Sequence, residues 1–270
     1  MKKIYGLLGE TLSYSISDSM HEIIMKENNI SGVYNMFEVK KENLEKGLEG
    51  FKAIGVRGVN VTIPYKQEVM KYLDDISQEA KEIGAVNTIV FDEGKLYGHN
   101  TDYFGFKMNL QKGNIEIKDK SFVILGSGGA AKAVIKCLKD FNARDIVLTA
   151  RNKEKAQDSF KDLEVITYEN LKDIKSNYCI INTTPCGTYP DVESSVVGED
   201  VVSMFENAVD LIYNPKETKF LKYGKKCEIN YINGLYMLVG QAIKAQEIWN
   251  NIKIKESSAE RIYMQVEKLI

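Results

Sequence analysis

At 270 residues the chain has room for one or two domains, on the basis of roughly 150 residues per domain. Its 36 basic and 38 acidic side chains leave a formal net charge of −2, which argues against binding nucleic acid or an anionic membrane by bulk charge. A hydrophobic fraction of 44% with 4 prolines excludes a disordered or proline-rich chain.

Short β-branched runs alternate with helical periods, the pattern of an α/β protein. Ile4 to Leu8 reads as a strand, and the apolar run stops at Gly9-Glu10, too short for a signal peptide despite the MKK start. A polar loop runs to Ser17, and Ser19-x-x-Glu22 reads as a capping box opening a helix that carries Ile23, Ile24 and Met25. Val33 to Val39 is a second strand. Leu44, Leu48 and Phe51 share one helical stripe. Val56 to Thr62 is a third strand, ended by Pro64, which suits the first turn of a helix with Val69, Met70 and Leu73. Val86 to Phe91 and Lys95 to Gly98, joined by Asp92-Glu93-Gly94, form a hairpin.

A helix over Tyr103 to Gln111 opens the second section, and the change from hairpin signals to a regular βαβ pattern sets a boundary near residue 102. Strands follow at Ser121–Leu125, Asp145–Thr149, Val165–Thr167, Tyr178–Asn182, Ala208–Ile212 and Glu228–Asn230. Two helices close the chain, Leu235 to Trp249 and Ser257 to Leu269, the last with Ala259, Ile262, Val266 and Leu269 as its buried stripe. Cys137, Cys179, Cys186 and Cys227 form no CxxC pair, and His21 and His99 are the only histidines. No metal site or disulfide framework is expected. No run approaches the ~18 apolar residues of a membrane span, so the chain reads as a soluble protein of a reducing compartment, the cytoplasm.

The most informative unit is the strand Ser121–Leu125, the turn Gly126-Ser127-Gly128-Gly129 and a helix from Ala130 to Leu138. Gly126-x-Gly128-x-x-Ala131 fits the dinucleotide fingerprint with Ala in the third place. Small residues let a pyrophosphate approach backbone N–H groups at a helix N-terminus, where orphan donors and the helix dipole favour negative charge. The next strand ends Leu148-Thr149-Ala150-Arg151-Asn152, with Arg where an acid would hold a ribose hydroxyl. Arg151 can pair a phosphate through two N–H groups, which favours NADP over NAD.

Polar residues gather at strand ends of the first section, where open α/β sheets present ligand sites. These are Ser15 and Ser17, then Asn60-Val61-Thr62-Ile63-Pro64-Tyr65-Lys66, Gly84-Ala85-Val86-Asn87-Thr88 and Gly98-His99-Asn100-Thr101-Asp102. In this order, with the glycine turn and the later blocks INTTPCG, DLIYNP and GLYMLVGQA, they closely resemble the shikimate dehydrogenase family. The matching blocks run from GLLGETLSYSISDSMH, starting at residue 6, to residue 242, nearly the whole chain.

The resemblance implies a fold with an N-terminal α/β substrate domain, 1–102, a Rossmann domain, 103–237, and C-terminal helices, 238–270, that return to the first. It implies NADP-dependent interconversion of shikimate and 3-dehydroshikimate, a step toward aromatic amino acids, in a cleft between the domains. By motif position, Ser15, Ser17, Thr62, Asn87 and Gln241 are implied as contacts to the substrate's carboxylate and hydroxyls, with Tyr213 nearby. Lys66 and Asp102 are implied as the catalytic pair, both also touching substrate. Gly126, Ser127, Gly128, Gly129, Ala130, Ala150, Arg151, Asn152 and Lys155 are implied as cofactor contacts, and Leu211 and Gly234 as neighbours of the nicotinamide. The chemistry agrees: Ser, Thr, Asn and Gln offer a polyhydroxylated acid directional bonds without fixed charge. Oxidising a secondary alcohol removes a hydride and a proton, and a side chain must manage the proton. Lys66 is assigned that proton, and Asp102 orients Lys66 and a substrate hydroxyl.

Two departures from the family pattern stand out. The usual His-Ser-x-Ser-Pro is Tyr14-Ser15-Ile16-Ser17-Asp18, with Asp18 a candidate N-cap expected to face away from an anionic substrate. The usual Asn-Arg-Thr is Ala150-Arg151-Asn152, which leaves NADP selectivity less determined than the reaction. His99 is expected to be a loop residue rather than an acid–base group. The competing readings are an NAD-linked or dual-cofactor quinate/shikimate dehydrogenase, a non-catalytic sensor of shikimate-like ligands, and, more weakly, a methyltransferase. The partner in each case is a small molecule, handled by a monomer or a homodimer.

Overall fold

The structure is a computed structural model that describes residues 2–12, 15–175 and 177–270. Tyr14, which opens the first departure from the family pattern, lies outside the described residues. The chain divides into two compact units, Met1–Gly105 with Val239–Leu269, and Phe106–Leu238 with Ile270. Each is built around a six-stranded sheet among the described residues.

In the first unit the elements are β1 (Lys3–Gly9), α1 (Ser17–Glu27), β2 (Gly32–Glu38), α2 (Leu44–Ala53), β3 (Val56–Val61), β4 (Asp75–Ile76), α3 (Gln78–Ile83), β5 (Thr88–Asp92) and β6 (Lys95–His99). The sheet order is β2-β1-β3-β5-β6-β4, parallel through β1 to β3 and antiparallel at β3–β5 and β5–β6. Side chains alternate across a strand, so Leu8 packs with Leu44, Leu48 and Phe51 of α2 on one face. Leu7 turns to the other face with Tyr5, Met25, Tyr34 and Trp249. Trp249 lies flat on β3: a Cβ on Gly58 would fall 2.1 Å from its Nε1, which donates to the Ile89 carbonyl at 2.9 Å. Glycine at 58 is what lets the indole settle on the sheet.

The helices α4 (Asp102–Lys112), α5 (Gly129–Asp140), α6 (Lys153–Ser159), α7 (Glu199–Val202), α8 (Lys219–Lys226), α9 (Leu235–Asn250) and α10 (Glu256–Val266) complete the set with the second unit's strands. Those strands are β7 (Ser121–Leu125), β8 (Asp145–Thr149), β9 (Glu164–Ile166), β10 (Cys179–Asn182), β11 (Asn207–Asp210) and β12 (Asn230–Ile232). They run parallel in the order β12-β11-β10-β7-β8-β9. Every residue of β7, β10 and β11 is buried, as expected for a parallel sheet covered on both faces. No helix is long and apolar enough to cross a membrane among the described residues.

Three local expectations are corrected. The helix expected after Pro64 is a turn followed by a 3₁₀ helix, Glu68–Tyr72. The Lys66 carbonyl accepts from Val86 N at 2.7 Å, so it is withdrawn from the i to i+4 ladder that an α-helix needs. Lys66 therefore sits in the turn, not on a helix. The capping box at Ser19 does not form: Ile16 is the N-cap of α1, its carbonyl accepting from Met20 N at 3.0 Å. Asp18 lies in the first turn rather than at the cap, where its Oδ1 accepts from Ser19 N at 2.7 Å. The last strand begins at Asn230, not Glu228, because Glu228 takes a left-handed φ of 56° at the end of α8.

Candidate active site

In the first unit the ends of β3, β5 and β6 are cross-tied through their backbones. Val61 N donates to the Asn87 carbonyl at 2.8 Å, and Asn87 N donates to the His99 carbonyl at 3.0 Å. This lacing holds the turn after β3, with Lys66, beside the start of α4, with Asp102. The Lys66 ammonium donates to Asp102 Oδ2 at 2.7 Å, the lysine side chain about a third exposed and the carboxylate about a fifth. The pair is covered enough to hold its geometry and open enough to meet a ligand.

Asn87 is buried beside this pair. Its Oδ1 accepts from Thr101 N at 2.7 Å and from the Thr101 and Thr88 hydroxyls at 3.1 Å each. Three donors fix the amide's orientation, and its Nδ2 donates to no described residue. That nitrogen is a directed donor with capacity to spare. Asn60 extends the same system inward, its Nδ2 donating to Thr88 Oγ1 at 3.1 Å and its Oδ1 accepting from the Tyr34 hydroxyl at 2.9 Å. Burial pushes the Tyr34 phenol well up, Asp18 adding to the effect and a Ser17 hydrogen bond opposing it. Sequence reasoning assigned no role to Asn60, Thr88 or Thr101, although all three stand in the quoted blocks.

Ser15 and Ser17 bond to one another, hydroxyl to hydroxyl at 2.9 Å; no hydrogen bond joins either to Lys66, Asn87 or Asp102. The Thr62 hydroxyl is bonded to no described residue. Gln241 lies on α9 of the same unit. His99 is the last residue of β6, paired across to Thr88, and not a loop residue. Its Nδ1 is 3.9 Å from Glu79 Oε1. Burial pulls its pKa down, with Glu79 opposing.

In the second unit the glycine turn shapes a cleft of about 480 Å³ lined by Gly126, Ser127, Gly128, Arg151, Lys155 and Thr184 among others. Gly126 takes a φ of 99°, and a Cβ there would meet Thr184 Cγ2 at 2.6 Å, so both backbone and space require glycine. At Gly128 and Gly129 a Cβ would meet nothing within 4 Å. Protein packing does not explain those two, and the open space beside them leaves room for an incoming group. Gly128 caps α5 without a side-chain bond, so the helix's first N–H groups keep their donor capacity for an anion. Ala150, Arg151 and Asn152 follow β8, with Asn152 Oδ1 capping α6 from Lys155 N at 2.9 Å. No acid ends β8. A dinucleotide bearing an extra phosphate fits this set of groups.

The floor of that cleft is Thr183-Thr184. Thr183 Oγ1 donates to the Leu125 carbonyl at 2.8 Å and reaches the Gly126 carbonyl at 3.2 Å. Neither threonine was assigned from sequence, though both lie in the INTTPCG block, and Tyr168 at the cleft edge was also missed. Burial raises the Tyr168 phenol, Arg151 opposing. Leu211 and Gly234 meet closely: a Cβ on Gly234 would fall 2.0 Å from the Leu211 carbonyl oxygen. Tyr213, two residues on, is half-buried, and its phenol is raised by that burial.

The comparisons agree in direction. Residues 7–89 match the model of the shikimate dehydrogenase substrate binding domain, and 108–188 match that of shikimate / quinate 5-dehydrogenase. A shikimate dehydrogenase (NADP(+)) from Clostridium perfringens is 49% identical over 98% of both chains. Among solved structures, a chorismate mutase/shikimate 5-dehydrogenase fusion protein from Clostridium acetobutylicum superposes with a TM-score of 0.97. It is 48% identical, covering 100% of this chain and 99% of that one. Shikimate 5-dehydrogenase from Thermus thermophilus, in complex with NADP(H) and shikimate, gives 0.85 at 29% identity, covering 97% and 99%. With two family models in sequence order and close identity over nearly its full length, the chain belongs to the shikimate dehydrogenase family.

Proposed function

We propose that the protein carries out the reversible, NADP-dependent reduction of 3-dehydroshikimate to shikimate. The first unit holds the substrate and the second the nucleotide. The observation that carries the chemistry is the Lys66–Asp102 pair at 2.7 Å, beside an Asn87 amide locked through its oxygen, its Nδ2 donating to no described residue.

When bound, NADPH supplies a hydride to the ketone carbon. As the oxygen gains negative charge, the Lys66 ammonium donates a proton to it. Asp102 holds Nζ in place and accepts from a neighbouring substrate hydroxyl. Asn87 Nδ2 donates to a second oxygen, and the hydroxyls of Ser15, Ser17 and Thr62 with the Gln241 amide take the remaining carboxylate and hydroxyls. Tyr213 completes the substrate's surroundings. Running backward, the same lysine as a neutral amine takes the alcohol's proton. Gly126 to Ala130 hold the pyrophosphate against the α5 N-terminus. Arg151, Asn152 and Lys155, with Ala150, receive the adenosine phosphate, and Leu211 and Gly234 wall the nicotinamide. The protein acts on small molecules in the cytoplasm, as a monomer or homodimer.

The test is a matrix of two substrates and two cofactors. Highest kcat/KM for shikimate with NADP supports the reading. Preference for quinate with NAD supports the broader quinate/shikimate alternative, and absence of turnover in all four supports a sensor.

A further inference from the structure

Asp210, the first residue of the DLIYNP block, has no role in the scheme above, yet it is a carboxylate with no exposed surface at the end of β11. Burying a charge without a cation is costly, and Asp210 forms no ion pair with a described residue. It is held by hydrogen bonds alone. Its Oδ1 accepts from Ile212 N and from Asn182 Nδ2, each at 3.0 Å, and its Oδ2 from the Thr218 hydroxyl at 2.5 Å.

One of these donors leads to the glycine-turn cleft and another to the Leu211–Gly234 contact. By taking the Asn182 amide nitrogen, the carboxylate turns the amide oxygen toward Thr184, whose N and hydroxyl donate to it at 3.0 and 2.7 Å. Thr184 in turn is the residue that meets the glycine turn, its Cγ2 filling the space beside Gly126. On the other side, Ile212 N is pinned by Asp210 while the Ile212 carbonyl accepts from Gly234 N at 3.0 Å. That bond fixes the close approach of Leu211 and Gly234.

We infer that Asp210 is a positioning residue for the nucleotide: through Asn182 and Thr184 it sets the floor under the glycine turn, and through Ile212 it sets the Leu211–Gly234 wall. One carboxylate thus registers both a residue lining the glycine-turn cleft and the Leu211–Gly234 contact beyond that lining. The inference rests on the proposed NADP-binding role of this unit. An apolar side chain at 210 would satisfy none of the three donors and an amide oxygen at most two, leaving the Asn182 amide held only by Thr184 and by the Cys186 carbonyl at 3.4 Å.

The test measures NADP affinity by titration, and kcat and KM for each substrate, in wild type, Asp210→Asn and the exchanged pair Asn182→Asp with Asp210→Asn. Failure of the wild type to bind NADP sinks the nucleotide reading itself and leaves Asp210 a structural group. With wild-type binding intact, Asp210→Asn is expected to weaken NADP about tenfold. KM for 3-dehydroshikimate is expected to stay unchanged, and the exchanged pair, which restores an amide facing a carboxylate, to regain much of the affinity. Unchanged NADP affinity in folded Asp210→Asn overturns the inference. So does a loss of activity that only tracks the folded fraction, with KM for NADP as in wild type. Should that variant fail to fold, Thr184→Val carries the test: it keeps Asp210, Asn182 and the backbone bond from residue 184 but removes the hydroxyl that donates to Asn182 Oδ1 at 2.7 Å. A severalfold rise in the NADP dissociation constant is then expected, and no rise overturns the inference.

Discussion

Lys66, the proposed proton donor, sits in a turn whose shape is fixed by its own carbonyl, bonded to Val86 N at 2.7 Å. Replacing it with methionine leaves that backbone bond in place while removing the ammonium group. Lys66→Met is therefore expected to lower kcat by about 10²- to 10⁴-fold, with KM for shikimate moving far less; retained turnover would remove Lys66 from the chemistry. Arg151 supports a different prediction. Losing a charge-assisted, two-point phosphate contact costs about 1.5–3 kcal/mol, so Arg151→Ala is expected to raise KM for NADPH by roughly 10- to 100-fold. KM for NADH should hardly move, and equal losses with both cofactors would place Arg151 elsewhere than at the extra phosphate.

At the scale of elements, strands such as Ser121–Leu125 and Asp145–Thr149 could be read to the residue because strands of a covered parallel sheet are near-continuous apolar runs, here FVIL and IVL. The turn between β7 and α5 was equally plain, since only glycine suits a φ of 99°. Gly126→Ala is expected to lower stability by about 1–3 kcal/mol, seen as an earlier denaturation midpoint, and to weaken NADP as Thr184 is pushed from the turn. An unaltered midpoint would mean the turn tolerates a side chain. What stayed hidden depended on partners remote in sequence. The 3₁₀ segment after Pro64 exists because Val86 captures the Lys66 carbonyl, which no local pattern encodes. The Lys66–Asp102 contact spans 36 positions and came to notice through family resemblance, not spacing. Asn60, Thr88 and Thr101 looked like ordinary turn and cap residues until the β5–β6 hairpin drew them into one network.

Over the whole molecule, two buried groups tie the units to pH with opposite sign. His21, in the first unit, is stacked on Tyr34 at 4.1 Å, and burial pulls its pKa down to about 3. The unfolded chain takes up that proton first, so the first unit loses stability as pH falls below 6.5, by up to about 1.4 kcal/mol per unit. Asp210, in the second unit, is pushed up to about 6 by burial. The folded state binds that proton first, so its contribution is full below the ordinary value of 3.8 and is lost as pH rises through 6. Acidifying from about pH 7 to about pH 5 should therefore reduce amide-exchange protection in β1 to β3 relative to β10 and β11, after correction for intrinsic rates. A parallel change in both sheets would refute this opposition.

The single tryptophan lying on Gly58 also bears on how the protein is made. Its carbonyl accepts from Arg57 Nε at 2.8 Å across 192 residues of chain. A ribosome adding about 5–20 residues per second needs roughly 10–40 s to bridge that interval. During that time the first strands have left the exit tunnel without the indole that covers one of their faces. The segment Phe106–Leu238 emerges before Val239–Leu269, the part that completes the first unit, so the later unit in sequence is the earlier one to be completed. Trp249 fluorescence on stalled nascent chains should accordingly report the moment at which the first-translated sheet is finally closed over.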